Sequence, residues 1–173
     1  MLRKLFAALI TAVLGFAPFV ATAQDQEQPN TTLKATNGAW EIRCSVPKPD
    51  ACIMTQVGNR DDGKAVLRVA LRKMDGAKGP NGEPIAAVLQ IDAPIGVLLP
   101  AGVEVKIDGR EIGRAAFQVC DGRACIASEP VAKEFVDQMK GGVKAVMTIM
   151  AVNGEKADVQ ISLEGFTKSF NSL

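Results

Sequence analysis

Apolar and polar residues alternate along most of the chain after Gly38, in short runs separated by glycine, proline, asparagine and aspartate. Residues 40–44 and 103–107 show the pattern most clearly, because every second residue is apolar and the residues between them are charged. Such alternation is typical of β-strands with one buried face. Similar runs recur up to the C-terminus, so the pattern predicts eight or nine short strands in an antiparallel β-sandwich or barrel-like domain.

One segment departs from this alternation and predicts a helix. Between residues 129 and 140, apolar side chains recur at helical intervals, and Gly141 and Gly142 follow them. Pro130 suits the first turn of a helix, and glycine commonly ends one. The pattern therefore predicts a mainly β fold with one short helix over 129–140, and a short terminal turn within 165–173.

An apolar segment bounded by prolines lies at 94–102, where glycines also argue against a long helix. We expect Trp40 to fill the core, and we expect the apolar residues of this segment to join it. If they are exposed instead, they form the best candidate interaction patch of the chain. The residues concerned are Ile95, Val97, Leu98 and Leu99.

The N-terminus has the layout of a secretory signal peptide. Arg3 and Lys4 precede an apolar core at 5–14, and Ala21 and Ala23 supply small residues before a cleavage site. The apolar core is too short to span a bilayer comfortably. The residue after the site is not cysteine, so the segment does not resemble a lipoprotein signal.

The chain is thus predicted to contain a signal peptide at 1–23, a polar flexible segment at 24–37 and a single β-rich domain at 38–173. No later run approaches the length of a transmembrane helix. Removing the signal peptide changes the formal net charge from +1 to −1, because it carries two basic residues and no acid. This balance gives no indication of nucleic-acid binding, which needs a clustered positive surface.

Four cysteines, an even number, lie after the predicted cleavage site, at Cys44, Cys52, Cys120 and Cys125. In an oxidising compartment this predicts two disulfides, for which three connectivities exist. Pairing of neighbours is favoured because each pair brackets a turn: prolines lie within the first, and Asp121-Gly122 lies within the second. A redox pair or a zinc site is the functional alternative, but neither pair has Cys-x-x-Cys spacing.

The chain contains no histidine. Serine–histidine and cysteine–histidine nucleophiles are therefore excluded, as are imidazole metal sites. We predict no enzyme activity, no cofactor and no metal. A hydrolase based on carboxylates is the remaining catalytic option, and its candidate acids are Asp61, Asp62, Glu104 and Asp108.

Several segments together resemble the invasion-associated locus B family of exported bacterial proteins. They are Trp40-x-x-x-Cys44 with Cys52, the 94–102 segment leading into Ile107-Asp108-Gly109, Phe117-x-x-Cys120 with Cys125-Ile126-Ala127, and Ser162-Leu163-x-Gly165-Phe166. The resemblance covers residues 38–173. It implies an exported, non-enzymatic envelope or secreted protein that contributes to host-cell interaction or invasion.

This resemblance supplies no catalytic residues. It implies a protein or cell-surface partner whose identity is unknown, and a location in the periplasm, at the outer membrane or outside the cell. The alternative function is a periplasmic ligand-binding or chaperone-like module for envelope maintenance. A β-rich domain can serve that purpose through an apolar pocket or an open strand edge.

Overall fold

The computed structural model describes residues 31–46, 48, 51–62 and 65–173. These residues form eleven strands, two short α-helices and one turn of 3-10 helix at Leu99–Ala101. The strands are β1 (Thr31–Asn37), β2 (Trp40–Ser45), β3 (Cys52–Asn59), β4 (Ala65–Lys73), β5 (Ala87–Ala93), β6 (Val103–Ile107), β7 (Arg110–Ala115), β8 (Phe117–Cys120), β9 (Cys125–Val131), β10 (Lys144–Met150) and β11 (Lys156–Ser162). The helices are α1 (Lys133–Gly141) and α2 (Phe166–Asn171).

The described strands belong to one antiparallel sheet that curls into a nearly closed barrel. Neighbouring strands follow the order β7-β6-β10-β11-β3-β4-β5-β9-β8, and the β1–β2 hairpin branches from the edge of β3. β7 continues through Ala116 into β8, which pairs with β9. The two ends of the sheet therefore meet, and we call the line between β7 and β9 the seam.

The barrel core consists of the inward-facing residues that the alternation predicts. Along β6 and β10 every second side chain is buried, and the intervening residues face outward. Trp40 on β2 is fully buried and meets the ring of Phe166 edge-on, with ring centroids 5.3 Å apart. Its indole Nε1 donates a hydrogen bond of 2.9 Å to the carbonyl oxygen of Ser162. The predicted core position of Trp40 is confirmed.

Helix α2 packs against the turn end of the β1–β2 hairpin, where the side-chain amide of Asn37 donates a hydrogen bond of 3.1 Å to the hydroxyl of Ser169. Phe166 and Phe170 are buried and stacked, with centroids 5.9 Å apart. Gly165, just before the helix, has a φ of +81°, and a Cβ there would lie 2.0 Å from the carbonyl oxygen of Asn37. Only glycine permits this close approach of the C-terminal segment to the hairpin. The predicted terminal turn is thus a second short helix.

Both disulfides join neighbouring cysteines, as the sequence predicts. Cys44 on β2 is bonded to Cys52 on β3, and Cys120 on β8 is bonded to Cys125 on β9. In each pair the two residues lie opposite each other in the strand register, with Cα atoms 4.0 Å apart. The mainly β, barrel-like, disulfide-stapled fold class is confirmed.

The predicted helix over 129–140 begins later than expected, because α1 starts at Lys133 and the preceding residues extend β9. Val131 lies opposite Ala87 on β5, so pairing with an existing strand outweighs local helical spacing. Pro130 is tolerated in β9 because the neighbouring strand β8 pairs only as far as Ala127, which leaves one edge unpaired.

Residues 31–37 lie within the segment that the sequence assigns to a polar flexible region. In the structure they form β1, which pairs with β2 from Thr31 opposite Ser45 to Asn37 opposite Trp40. The strand is polar because its side chains are mostly exposed, and only its C-terminal residue Asn37 is buried. The signal peptide prediction and the segment 24–30 lie outside the described residues.

Candidate interaction surface

Two loops meet at one end of the barrel. The first joins β5 to β6 and contains residues 94–102, and the second is the turn between β10 and β11. The N–H of Leu98 donates to the carbonyl oxygen of Met150 at 2.7 Å, and the N–H of Val152 donates to that of Gly96 at 2.9 Å. The two loops are therefore joined as a short ladder and present one common surface.

This surface carries apolar side chains. Ile95, Leu98, Leu99 and Val152 are 60%, 36%, 46% and 70% exposed, and we call them the apolar loop patch. Single exposed apolar residues are ordinary on protein surfaces, whereas a group of four on adjoining loops is typical of an interaction site. The structure thus brings together three of the four residues of the predicted patch.

Val97 is the exception among the predicted patch residues, because it is 6% exposed and belongs to the core. It lies opposite Ala151 in an antiparallel bridge, and its side chain points inward. The expectation that this segment joins the core holds for Val97 but is wrong for Ile95, Leu98 and Leu99, which are exposed. Neighbouring residues of an extended segment point to opposite faces, so the four do not share one environment. Val152 also belongs to the patch, although the sequence analysis did not include it. Its position directly before the Asn153-Gly154 turn could have indicated an exposed apolar side chain.

The backbone holds the apolar loop patch in one conformation. Pro100 lies in the first turn of the 3-10 helix, where its fixed φ is compatible with the turn. Gly102 ends the turn with a φ of +63°, and a Cβ there would lie 2.7 Å from the carbonyl oxygen of Ala115. Arg114 donates a hydrogen bond of 3.1 Å to the carbonyl oxygen of Ala101. A rigid patch loses little conformational entropy when a partner covers it.

Three of the candidate hydrolase acids line separate concavities: Asp61 lies in a groove beside β3, Glu104 in a small cavity beside β10 and Asp108 next to the end of α1. Asp108 accepts hydrogen bonds from the backbone N–H groups of Val143 and Lys144, at 3.0–3.2 Å. The structure therefore does not assemble these three acids into one catalytic cleft.

Glu104 lies on the outer face of β6. Lys106 Nζ donates to its carboxylate at 2.6 Å, and this hydrogen bond lowers the pKa of Glu104 below its ordinary value. The carboxylate of Asp62 lies 3.8 Å from the guanidinium of Arg60. The side-chain amide of Gln160 donates a hydrogen bond of 2.6 Å to the carboxylate of Asp61. These contacts give the acids structural partners on the surface.

A polar groove of about 1030 Å³ lies where the β1–β2 hairpin branches from the barrel. Here β3 pairs with β2 up to Thr55 and with β11 at Asn59, which leaves a gap between them. The amide of Gln56 bridges the gap, because its Nε2 donates to the carbonyl oxygen of Ser162 and its Oε1 accepts from the N–H of Ser162, each at 2.8 Å. We call this contact the Gln56 junction.

A nearly closed antiparallel barrel, two hairpin disulfides and a rigid apolar loop define a small disulfide-stabilised β-domain with an exposed surface for contact. Residues 40–173 match the Invasion associated locus B (IalB) protein family, and the chain belongs to this family. Within the described residues, neither helix is long and apolar enough to cross a membrane.

A crystal structure of invasion associated protein b from Bartonella henselae has the same fold. The two chains are 20% identical, their superposition has a TM-score of 0.63, and it covers 82% of this chain and 95% of the other. No curated protein matches the sequence. The structural likeness supports the barrel-like architecture, and the family match covers both disulfides and the apolar loop patch.

Proposed function

We propose that this chain is an exported, non-enzymatic protein of the bacterial envelope that binds a protein partner, on the host cell or in the envelope, through the apolar loop patch. Two formed disulfides support export, because such bonds persist in oxidising compartments. The family to which the chain belongs supports a role in host-cell contact.

The observation that carries the proposal is the exposed apolar side chains held on rigid loops. Burying one exposed leucine or isoleucine against a partner stabilises a complex by up to about 1.5–3 kcal/mol. A few such anchors on a preorganised surface dominate the affinity of many interfaces. The apolar loop patch has this composition, and its rim carries the polar residues Arg114 and Glu104.

The binding test uses the exported, processed chain as bait on intact host cells and on envelope extracts, with chemical cross-linking. The wild-type protein should capture one specific partner, and the double variant Leu98→Glu/Leu99→Glu should lose it. Val143→Glu is the matched control, because Val143 is 77% exposed and lies beside Asp108 at the opposite end of β6. Capture that is unchanged in the double variant would contradict the proposal.

Export is tested separately by fractionating the native bacterium into periplasm, outer membrane and medium after thiol blocking. We expect the shortened, fully oxidised chain in these fractions. Uncleaved protein with free thiols in the cytoplasm would show that the chain is not exported, whatever the binding test gives.

A further inference from the structure

The seam between β7 and β9 contains a cleft of about 380 Å³ with both apolar and charged walls, which helix α1 borders. Its walls include the core residues Leu89, Val105 and Val131 together with Phe135 of α1. The cleft exists because β8 pairs with β9 only as far as Ala127, so the rest of β9 faces β7 without a backbone ladder between the described strands. Its volume is within the range of small-molecule sites.

A glycine keeps this cleft open. Gly113 on β7 lies opposite Val105, which is buried, so a side chain at position 113 would point to the inner face of the sheet. A Cβ added at Gly113 meets no atom within 4 Å. The missing side chain therefore corresponds to empty space at the seam.

The cleft also contains a carboxylate at a position where the strand pattern calls for an apolar residue. Glu129 lies opposite the buried Leu89, and its neighbours at alternate positions, Ala127 and Val131, are buried. The side chain of Glu129 is half-buried, and its carboxylate has no hydrogen bond or ion pair with any residue that the structure describes. An inward-facing charge beside apolar walls is costly unless a partner neutralises it.

The charges around Glu129 favour a positively charged partner. Glu134, at the start of α1, also lines the cleft and forms no ion pair with the described residues. Arg114 is the one cation of the lining, but its guanidinium donates to Ala101 and lies 3.9 Å from Glu104. The carboxylate of Glu129 is therefore available to accept hydrogen bonds from a ligand.

We propose that the seam cleft binds a small amphipathic organic cation, with its ammonium group on Glu129 and its apolar part against Leu89, Val105 and Phe135. A carboxylate only accepts hydrogen bonds and an ammonium only donates them, so the two are complementary. None of the four residues of the apolar loop patch lines the cleft, although Arg114 borders both.

The test titrates the processed, disulfide-bonded chain with hexylamine, hexanol and hexanoate, and follows the backbone amide resonances. Hexylamine, charged at neutral pH, should cause saturable shifts near Gly113, Glu129 and Phe135. Hexanol and hexanoate should bind at least roughly tenfold more weakly, because neither supplies a charged donor. Equal binding of hexanoate, or no saturable shift with hexylamine, would overturn the proposal.

Two variants connect the binding to the cleft. Glu129→Gln keeps the shape of the side chain and should weaken hexylamine binding by roughly tenfold or more, since it removes a charge-assisted contact. Glu111→Gln is the matched control, because Glu111 is exposed on β7 and does not line the cleft. Unchanged affinity in Glu129→Gln would show that its carboxylate does not hold the ligand.

Gly113→Val places a branched side chain inside the cleft, at a strand position where valine is favoured. It should abolish the shifts from all three probes without lowering the thermal unfolding midpoint, which shows that the variant is folded. A folded Gly113→Val protein that still binds hexylamine would place the ligand elsewhere.

Discussion

Among the described strands, the Gln56 junction and the seam are both gaps between neighbouring strands, and each contains an inward-facing polar residue. At the Gln56 junction, the amide donates to and accepts from the backbone of Ser162. At the seam, Glu129 has no such partner among the described residues. An amide can replace a peptide group because it has both a donor and an acceptor, whereas a carboxylate has acceptors alone. Gln56 therefore supplies both hydrogen-bonding groups that the backbone at the first gap requires. At the seam, a hydrogen-bond donor for the Glu129 carboxylate would have to come from a ligand.

The two gaps also differ in the space around a neighbouring glycine, which is Gly58 at the junction and Gly113 at the seam. A Cβ at Gly58, near the Gln56 junction, would lie 2.5 Å from Ile161 Cδ1 and 2.7 Å from Val159 Cγ1. A Cβ at Gly113, in the seam, would meet nothing within 4 Å. The backbone at Gly58 is therefore closely packed against side chains of β11, whereas the backbone at Gly113 faces open space in the seam cleft.

The largest effect is expected from breaking the Gln56 junction. Gln56→Leu removes two hydrogen bonds and leaves the half-buried N–H of Ser162 without its acceptor, so the free energy of unfolding should fall by about 3 kcal/mol. Denaturant unfolding of the variant and the wild type measures this difference in the free energy of unfolding. Gln160→Leu is the control, since the Gln160 side chain is exposed and, among the described residues, hydrogen bonds to Asp61 alone, and it should change stability by less than about 0.5 kcal/mol. Equal losses in both variants would contradict the role of the junction.

Removing the disulfides should give the next largest effects. The Cys44–Cys52 bond closes a sequence separation of 8 and the Cys120–Cys125 bond one of 5. The chain-entropy estimate is about 2.5 kcal/mol for the first and about 2 kcal/mol for the second. Cys44 and Cys125 are both buried, so each double alanine variant also loses some packing. Denaturant unfolding of both variants measures the losses, and a clearly larger one at Cys120–Cys125 would contradict the estimate.

The two glycines provide the sharpest paired test. Gly58→Val should lower the free energy of unfolding by about 1–3 kcal/mol, because the new side chain overlaps Val159 and Ile161. Gly113→Val should leave it unchanged or raise it by about 0.5–1 kcal/mol, since valine favours strands and the space is empty. Thermal and denaturant unfolding of the two variants would compare them directly, and similar destabilisation would show that the seam is as tightly packed as the junction.

The smallest effect is a pH dependence in the hairpin that joins β8 to β9. The backbone N–H groups of Ala124 and Arg123 donate to Asp121 and lower its pKa below the ordinary value of 3.8. A lowered pKa in the folded state means that the stabilisation is present above about pH 3.8 and is lost as the pH falls through the folded-state pKa. Thermal midpoints of Asp121→Asn should therefore vary less with pH in this acid range than those of the wild type. If the thermal midpoints of the two proteins varied identically with pH, Asp121 would not be the source of this pH dependence.

Much of the fold follows from local patterns in the sequence. Alternation in 40–44 and 103–107 predicts strands with one buried face, and the structure has β2 and β6 there. The turns that bracket each cysteine pair indicate the observed disulfides. The strand content was underestimated, because Ala116 divides 110–120 into β7 and β8 and because polar residues form β1.

The candidate sites were harder to predict. The apolar residues of the segment at 94–102 were expected to join the core, but of these Val97 alone is buried, through its bridge to Ala151, while Ile95, Leu98 and Leu99 are exposed. Glu129 was assigned to the start of a helix, so its inward position was not foreseen. Its placement depends on pairing with Leu89, forty residues earlier in the chain, and local spacing contains no information on that contact.

Local residue patterns account for strand periodicity, turn chemistry and the pairing of nearby cysteines. These properties are set by backbone sterics and by the two-residue repeat of a strand. Which gaps between strands are closed by hydrogen bonds, as at Gln56, and which stay open, as at Gly113, depends on the folded arrangement of the chain. The reason is that packing and hydrogen-bond satisfaction depend on residues brought together from distant parts of the chain, such as Gln56 and Ser162.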